Sequence, residues 1–145
     1  MENRFKNFTI LINKIGKNVR KLKTEEMREY GLKGIHVSCI YYLYVENSLT
    51  SKELTDICVE DKAAISRALD YLEKNQFIIC EENDKKRYKN KIYLTDKGKE
   101  IGKIISKKID NILEEVSEGL TEENRKQLYQ SLSIISNKLN DMTNK

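Results

Sequence analysis

Residues 61–74, DKAAISRALDYLEK, combine two faces on one helical period. Ile65, Ala68, Leu69 and Leu72 form an apolar stripe, while Ala63, Ser66, Arg67, Asp70 and Lys74 share the opposite side. Long charged side chains usually crowd such an outer face, yet here small residues surround a single arginine. A guanidinium is a planar fork of donors that matches paired acceptors, and a neighbouring hydroxyl can donate or accept. The chemistry on offer is recognition of a surface, with alanines permitting close approach. The competing reading is an Arg67–Asp70 ion pair on a solvated face.

Other chemistries lack their residues. The chain has one histidine, no phosphate-binding glycine loop and no G-x-S-x-G nucleophile motif, so an enzyme is not expected. Cys39, Cys58 and Cys80 are widely spaced in apolar segments, with no CxxC or Cys/His pairing. They predict reduced thiols packed as small hydrophobes, with no metal site and no cofactor, the alternative being a redox-sensing thiol with a depressed pKa.

Charge is unevenly distributed about the net +4. Residues 83–91, NDKKRYKNK, carry five basic residues against one aspartate, and residues 1–28 carry eight against three glutamates. Residues 110–145 reverse the balance, with four basic and seven acidic. A basic run shortly after the small-faced helix points to a phosphate-facing surface.

The elements that position these residues are legible along the chain. Phe5, Phe8, Ile12, Ile15, Val19 and Leu22 step by 3 and 4 through a first helix, a coiled-coil-like seam. Leu128, Leu132, Ile135, Leu139 and Met142 make a second seam near the other end. Each stripe could equally pack on its own domain, but two such terminal helices are a natural means of joining two chains, so Phe5, Phe8, Ile12, Ile15, Leu128, Leu132, Ile135 and Leu139 are the candidate dimerisation residues. GLKGIHVSCIYYLYVE, residues 31–46, is apolar nearly all round and predicts a buried helix. LTSKEL then predicts a capping box from Thr50 and Glu53, with Leu49 and Leu54 as a hydrophobic staple. That short helix is expected to bury Leu54, Ile57 and Cys58. After a turn at Val59 and Glu60, Asp61 caps the helix described first.

A short helix, a tight turn and a second amphipathic helix make a helix-turn-helix. FIICEEN and KIYLT are β-prone runs either side of the basic loop, a two-stranded wing. Phe77, Ile79, Ile92 and Leu94 are expected to face the core, with Glu81, Lys91 and Tyr93 outward. Thr95 caps a long helix ending at Gly119, and Thr121 starts the last one. The expected fold class is mainly α (α+β), a winged helix-turn-helix with N- and C-terminal dimerisation helices. Residues 1–145 are read as one domain, with the DNA-binding lobe over about 32–98 and helical dimerisation regions over about 1–28 and 99–145. No apolar run reaches bilayer length and MENRFKNF lacks a signal-peptide core, so a cytoplasmic location is expected.

LTSKEL, DKAAISRALDYLEKNQFI and IYLTDKG together resemble the MarR/SlyA family of bacterial transcription regulators, in the family's order and over roughly residues 32–98. The sequence departs from the family pattern at Asn75-Gln76, where a glycine turn is common, and Asn can take that left-handed conformation. Its wing is also one or two residues longer, so either Arg87 or Lys86 stands at the wing tip. The resemblance implies a homodimer on palindromic double-stranded DNA, a repressor released by a small aromatic ligand. Residues 61–74 would enter the major groove and the wing an adjacent minor groove. Thr50, Ser51, Lys62, Ala63, Ala64, Ser66 and Arg67 are then the contact candidates on the two helices. Lys85, Lys86, Arg87 and Lys89 are those on the wing. His36, Tyr30, Tyr41 and Tyr42 are candidates to line an effector cleft. Some relatives sense peroxide through a first-helix cysteine, but no cysteine precedes Cys39 here. The rival reading is a winged-helix protein-interaction module without specific DNA binding.

Overall fold

The structure, a computed structural model, describes residues 3–82 and 89–144. The elements in order are α1 (Arg4–Glu26), a 3-10 turn (Arg28–Tyr30), α2 (Gly34–Glu46), β1 (Ser48–Thr50), α3 (Ser51–Cys58) and α4 (Lys62–Lys74). They are followed by β2 (Ile78–Cys80), β3 (Lys91–Leu94), α5 (Asp96–Val116) and α6 (Glu122–Thr143). The fold is a mainly helical winged helix-turn-helix with helical termini, as the sequence predicts. No helix among the described residues is long and apolar enough to cross a membrane.

The chain divides into two compact units, Met1–Lys108 and Ile109–Lys145. In the first, Met27, Leu32, Ile40, Leu43, Leu54, Ile65, Leu72 and Ile105 are buried around α2. The apolar α2 is the hub because its Val37, Cys39, Ile40 and Leu43 leave no polar stripe to face water. α1 has no buried residue, and Phe5, Phe8, Ile12, Ile15 and Val19 are all exposed. In the second unit α6 likewise buries none, and Leu128, Leu132, Ile135, Leu139 and Met142 are exposed. Thr121 starts α6 as expected, its hydroxyl accepting from Asn124 N–H at 3.1 Å.

The sheet has three strands in the order β1-β3-β2, all antiparallel. The sequence predicts only the β2–β3 hairpin. β1 is three residues long, too short for an alternation to register, and it forms by pairing Ser48–Thr50 with Tyr93–Lys91. Within the hairpin, Ile78 pairs with Leu94 and Cys80 with Ile92, while Ile79 pairs with Tyr93. Ile79 therefore faces outward, 58% exposed, and Ile78 takes the core position expected of Ile79. Phe77 is buried too, but it precedes the strand, its N–H bonded to Leu72 O at 2.8 Å, so the two-residue alternation starts one residue later.

Two other expectations need correction. Ile57 is 39% exposed, because α3 ends one residue later and only Leu54 is fully enclosed. The left-handed residue between α4 and the wing is Gln76 at φ 64°, whereas Asn75 stays at φ −92°. Asn75 instead closes α4, its side-chain amide donating to Tyr71 O at 2.8 Å.

Candidate nucleic-acid interface

α3 begins in the predicted capping box. Thr50 Oγ1 accepts from Glu53 N–H at 3.1 Å, and Glu53 Oε1 accepts from Thr50 N–H at 3.0 Å. The Thr50 N–H first, and then the Thr50 side chain, hold the Glu53 carboxyl below its usual pKa. Thr50 is thus committed as a cap, its N–H and hydroxyl both turned to Glu53. The turn that follows is built on Val59 at φ 54°, where a β-branched side chain is strained. Val59 is also 87% exposed, so burial offsets none of that strain. Asp61 then caps α4, its Oδ1 accepting from Ala64 N–H at 2.7 Å.

On α4 the two faces separate as the period requires. Ile65, Ala68, Leu69 and Leu72 are buried, while Lys62, Ala63, Ser66, Arg67 and Asp70 are exposed and Ala64 is half-buried. No ion pair holds Arg67 among the described residues, so the Arg67–Asp70 bridge does not form. Ser51, Lys62 and Ser66 meet the wing in one cleft of about 220 Å³, together with Cys80 and Asn90. The Asn90 Oδ1 is buried there with no hydrogen-bond partner among the described residues. A neighbouring cleft of about 290 Å³ has Ser51, Lys52 and Lys62 along its rim. Ser51, Lys62 and Ser66 are therefore gathered from two helices, with Ala63 and Arg67 continuing the same exposed face. Lys89 is exposed, whereas Lys85, Lys86 and Arg87 lie outside the described residues.

Four residues outside the predicted site hold α4 in place, and of these the sequence selects only Thr95, as the cap of α5. Tyr71, from its inner side, donates its hydroxyl to Gly31 O at 2.7 Å and stacks on His36 with ring centroids 4.3 Å apart. At the other end, Thr95 Oγ1 donates to Gln76 O at 2.6 Å and accepts from Gly98 N–H at 3.0 Å. Lys97 Nζ donates to Asn75 O at 2.8 Å and sits 4.3 Å from the Phe77 ring centroid, a cation at the helix C-terminus. Gly98 permits this closure, since a Cβ there would lie 2.1 Å from Phe77 O. The signal was present in LTDKG: a cap, a cation and a glycine at helical spacing.

The effector candidates fall in three places. His36 is buried at the start of α2, its Nδ1 accepting from Lys33 N–H at 3.0 Å and its ring packed on Tyr71. Burial first, then the Lys33 cation, lowers its pKa, so the neutral ring is the resident form. Tyr41 and Tyr42 instead engage each other edge-on at 5.4 Å, and burial raises the Tyr42 phenol. Tyr30 is half-buried in the 3-10 turn. A cleft of about 460 Å³ lies between α1, α2 and the α3–α4 turn, lined by Arg20, Lys23, Ser38 and Cys58 and by none of these four. Cys39 is buried, and Cys58 and Cys80 are half-buried free thiols. No group of three or more His, Cys, Asp or Glu side chains is placed to hold a metal ion among the described residues.

No protein-family model matches the chain, and no curated protein matches it in sequence. Solved structures do resemble it. A MarR family transcriptional regulator from Listeria monocytogenes, complexed with 26mer DNA, is 22% identical with a TM-score of 0.82, covering 97% of this chain and 91% of that one. S. aureus MepR in complex with DNA is 17% identical at a TM-score of 0.78, over 91% of this chain and 97% of that one. The transcriptional regulator SlyA is 22% identical at a TM-score of 0.81, over 92% and 94% of the two chains. The capped α3, the small-faced α4, the wing and the terminal helices are thus arranged in the fold of the MarR/SlyA-type transcriptional regulators.

Proposed function

We propose that this chain is a sequence-specific double-stranded DNA-binding transcriptional regulator, a repressor acting as a homodimer on a palindromic operator. The observation that carries this reading is the exposed face of α4. It presents Ala63, Ser66 and Arg67 unobstructed, flanked by Ser51 and Lys62, in a fold whose solved examples include two DNA complexes. Ala63 and Ala64 allow the helix close to a groove floor and can meet a thymine methyl, and Arg67 forks onto a guanine or clamps a phosphate. Lys62 and the first amides of α4 favour phosphate, and Lys85, Lys86, Arg87 and Lys89 supply charge on the wing. The uncovered seams of α1 and α6 support the homodimer: exposed apolar stripes of this length call for a partner. Release by a small aromatic ligand completes the reading, with Tyr30, Tyr41 and Tyr42 as contacts and His36 as a positioning residue.

Selection of bound fragments from random DNA yields the operator and tests palindromy. On that operator, Arg67→Ala lowers affinity by roughly 1–3 kcal/mol, about 5- to 150-fold, in fluorescence anisotropy at fixed salt. Unchanged affinity contradicts the role given to Arg67. The rival reading, a protein-interaction module, draws on the exposed Ile79–Tyr93 pair of the wing. A folded dimer that binds no DNA at low salt favours that rival.

A further inference from the structure

Gly31, His36 and Tyr71 meet at one joint between the entrance of α2 and the C-terminal half of α4. The Tyr71 hydroxyl donates to Gly31 O at 2.7 Å across 40 residues of chain. Its ring lies on the His36 imidazole, with centroids 4.3 Å and planes 16° apart. His36 is itself held, buried and with its Nδ1 accepting from Lys33 N–H at 3.0 Å. Gly31 is committed too. It stands at φ 72°, a conformation open to glycine, and a Cβ there would lie 3.3 Å from the Tyr71 oxygen. One bond thus fixes the end of the Tyr71 side chain and one stack fixes its plane.

The place of Tyr71 on α4 matters as much as its contacts. Ala68, Leu69 and Leu72 are buried, and Tyr71 lies half-buried beside that stripe. Arg67 stands four residues earlier, one turn back along the same side of the helix, with Ser66 next to it. A helical side chain leans toward the N-terminus, so the Tyr71 ring covers the turn that carries Arg67. The apolar stripe keeps α4 on the core, but apolar attraction is non-directional. A directed bond and a stack are what fix the roll of the helix about its own axis. At an outer radius of about 5–6 Å, a roll of about 10° sweeps a side chain sideways by about 1 Å. A forked contact to a base edge does not survive a shift of that size.

We propose that Tyr71 is a specificity-determining positioning residue: held by Gly31 and His36, it sets the roll of α4 and so the register in which Arg67 meets the bases. This rests on the proposed function, with Arg67 reading a base edge, and Tyr71 acts through Arg67 rather than by touching DNA. Phosphate contacts from flexible lysines on several elements follow a small shift of the helix, whereas a planar guanidinium fork cannot. Loss of the joint therefore lowers affinity for the operator and leaves affinity for random DNA in place.

The test is a double-mutant cycle of Tyr71→Phe and Arg67→Ala in the intact protein. Operator and random-sequence duplexes are compared by fluorescence anisotropy at fixed salt and neutral pH, at a temperature where circular dichroism shows each variant folded. Tyr71→Phe removes the bond to Gly31 and keeps the ring. It should weaken operator binding about five- to tenfold and leave random-sequence binding within about twofold. With Arg67 already replaced by alanine, the same change should weaken operator binding by less than about twofold. His36→Gln, which keeps an acceptor for Lys33 N–H and loses the stacking ring, should show the same coupling, and it decides the matter if Tyr71→Phe does not fold. Equal losses with and without Arg67 overturn the proposal and leave the functional reading standing. An equal fall on operator and random DNA also overturns it, since that is the mark of a merely structural role. Wild-type operator affinity in Arg67→Ala overturns both the proposal and the role of Arg67 on which it rests.

Discussion

Gly98→Ala separates helix propensity from close packing at the joint between the wing and α5. Alanine at a helical position is normally about 1 kcal/mol better than glycine. Here the new Cβ would stand 2.1 Å from Phe77 O and 3.1 Å from both Phe77 C and Leu94 Cδ2. The obstacle is backbone and cannot rotate away, and the carbonyl is already tied to Thr95 N–H at 3.0 Å. Restoring ordinary contact requires the α5 start and the Phe77 strand entry to part by more than about 1 Å. Overpacking of that kind costs about 1–3 kcal/mol, and loss of the Thr95 bond adds about 1. Because the obstacle is rigid the upper end applies, and the net destabilisation is about 2–3 kcal/mol after the propensity gain. For a chain of this size that lowers the melting temperature by roughly 5–10 °C. Gly102→Ala is a second case, since its Cβ would stand 2.7 Å from Tyr44 Cδ1 and 2.9 Å from Tyr44 Cβ and Cγ, at the root of the side chain. It too should destabilise, by about 1–3 kcal/mol. The assay is thermal unfolding by circular dichroism at one fixed protein concentration, because association would shift the midpoint. A Gly98→Ala protein as stable as the wild type, or more so, refutes the reasoning.

Three further outcomes are expected. Asp61→Ala removes the 2.7 Å cap on Ala64 N–H and should cost about 1 kcal/mol, read as a lower urea midpoint with unchanged slope. His36 is held neutral by burial and by Lys33, so its folded pKa lies below its unfolded one and the unfolded chain binds the proton more readily. Its contribution is present above about pH 6.5 and is lost as pH falls through the folded value. Urea midpoints should fall more steeply on acidification for the wild type than for His36→Gln, and parallel curves would exclude His36 as the cause. The pair Lys86→Ala with Arg87→Ala should reduce the log–log salt slope of DNA binding by about 0.9 for each phosphate no longer neutralised. An unaltered slope would mean that the wing touches no phosphate.

The sequence by itself determined the local features. The Thr50–Glu53 box, the Asp61–Ala64 cap and the Thr121–Asn124 cap each join atoms three residues apart, so residue identity and spacing suffice. The two faces of α4 follow from its period alone, and with them the exposure of Ser66 and Arg67. The family motifs located the wing, but not its register. What only the tertiary structure decided lies in contacts between distant residues, which local pattern does not encode. β1 exists because β3, far along the chain, offers it an edge on which Leu49 pairs with Ile92. Ile78 displaces Ile79 from the core because Phe77 is anchored to Leu72 before the strand begins. Tyr71 reads in sequence as one more aromatic beside an apolar stripe, yet 40 residues of separation close into its bond with Gly31. Local hydrogen bonds are set by neighbours along the chain, whereas registry and stacking are set by which surfaces the buried core brings face to face.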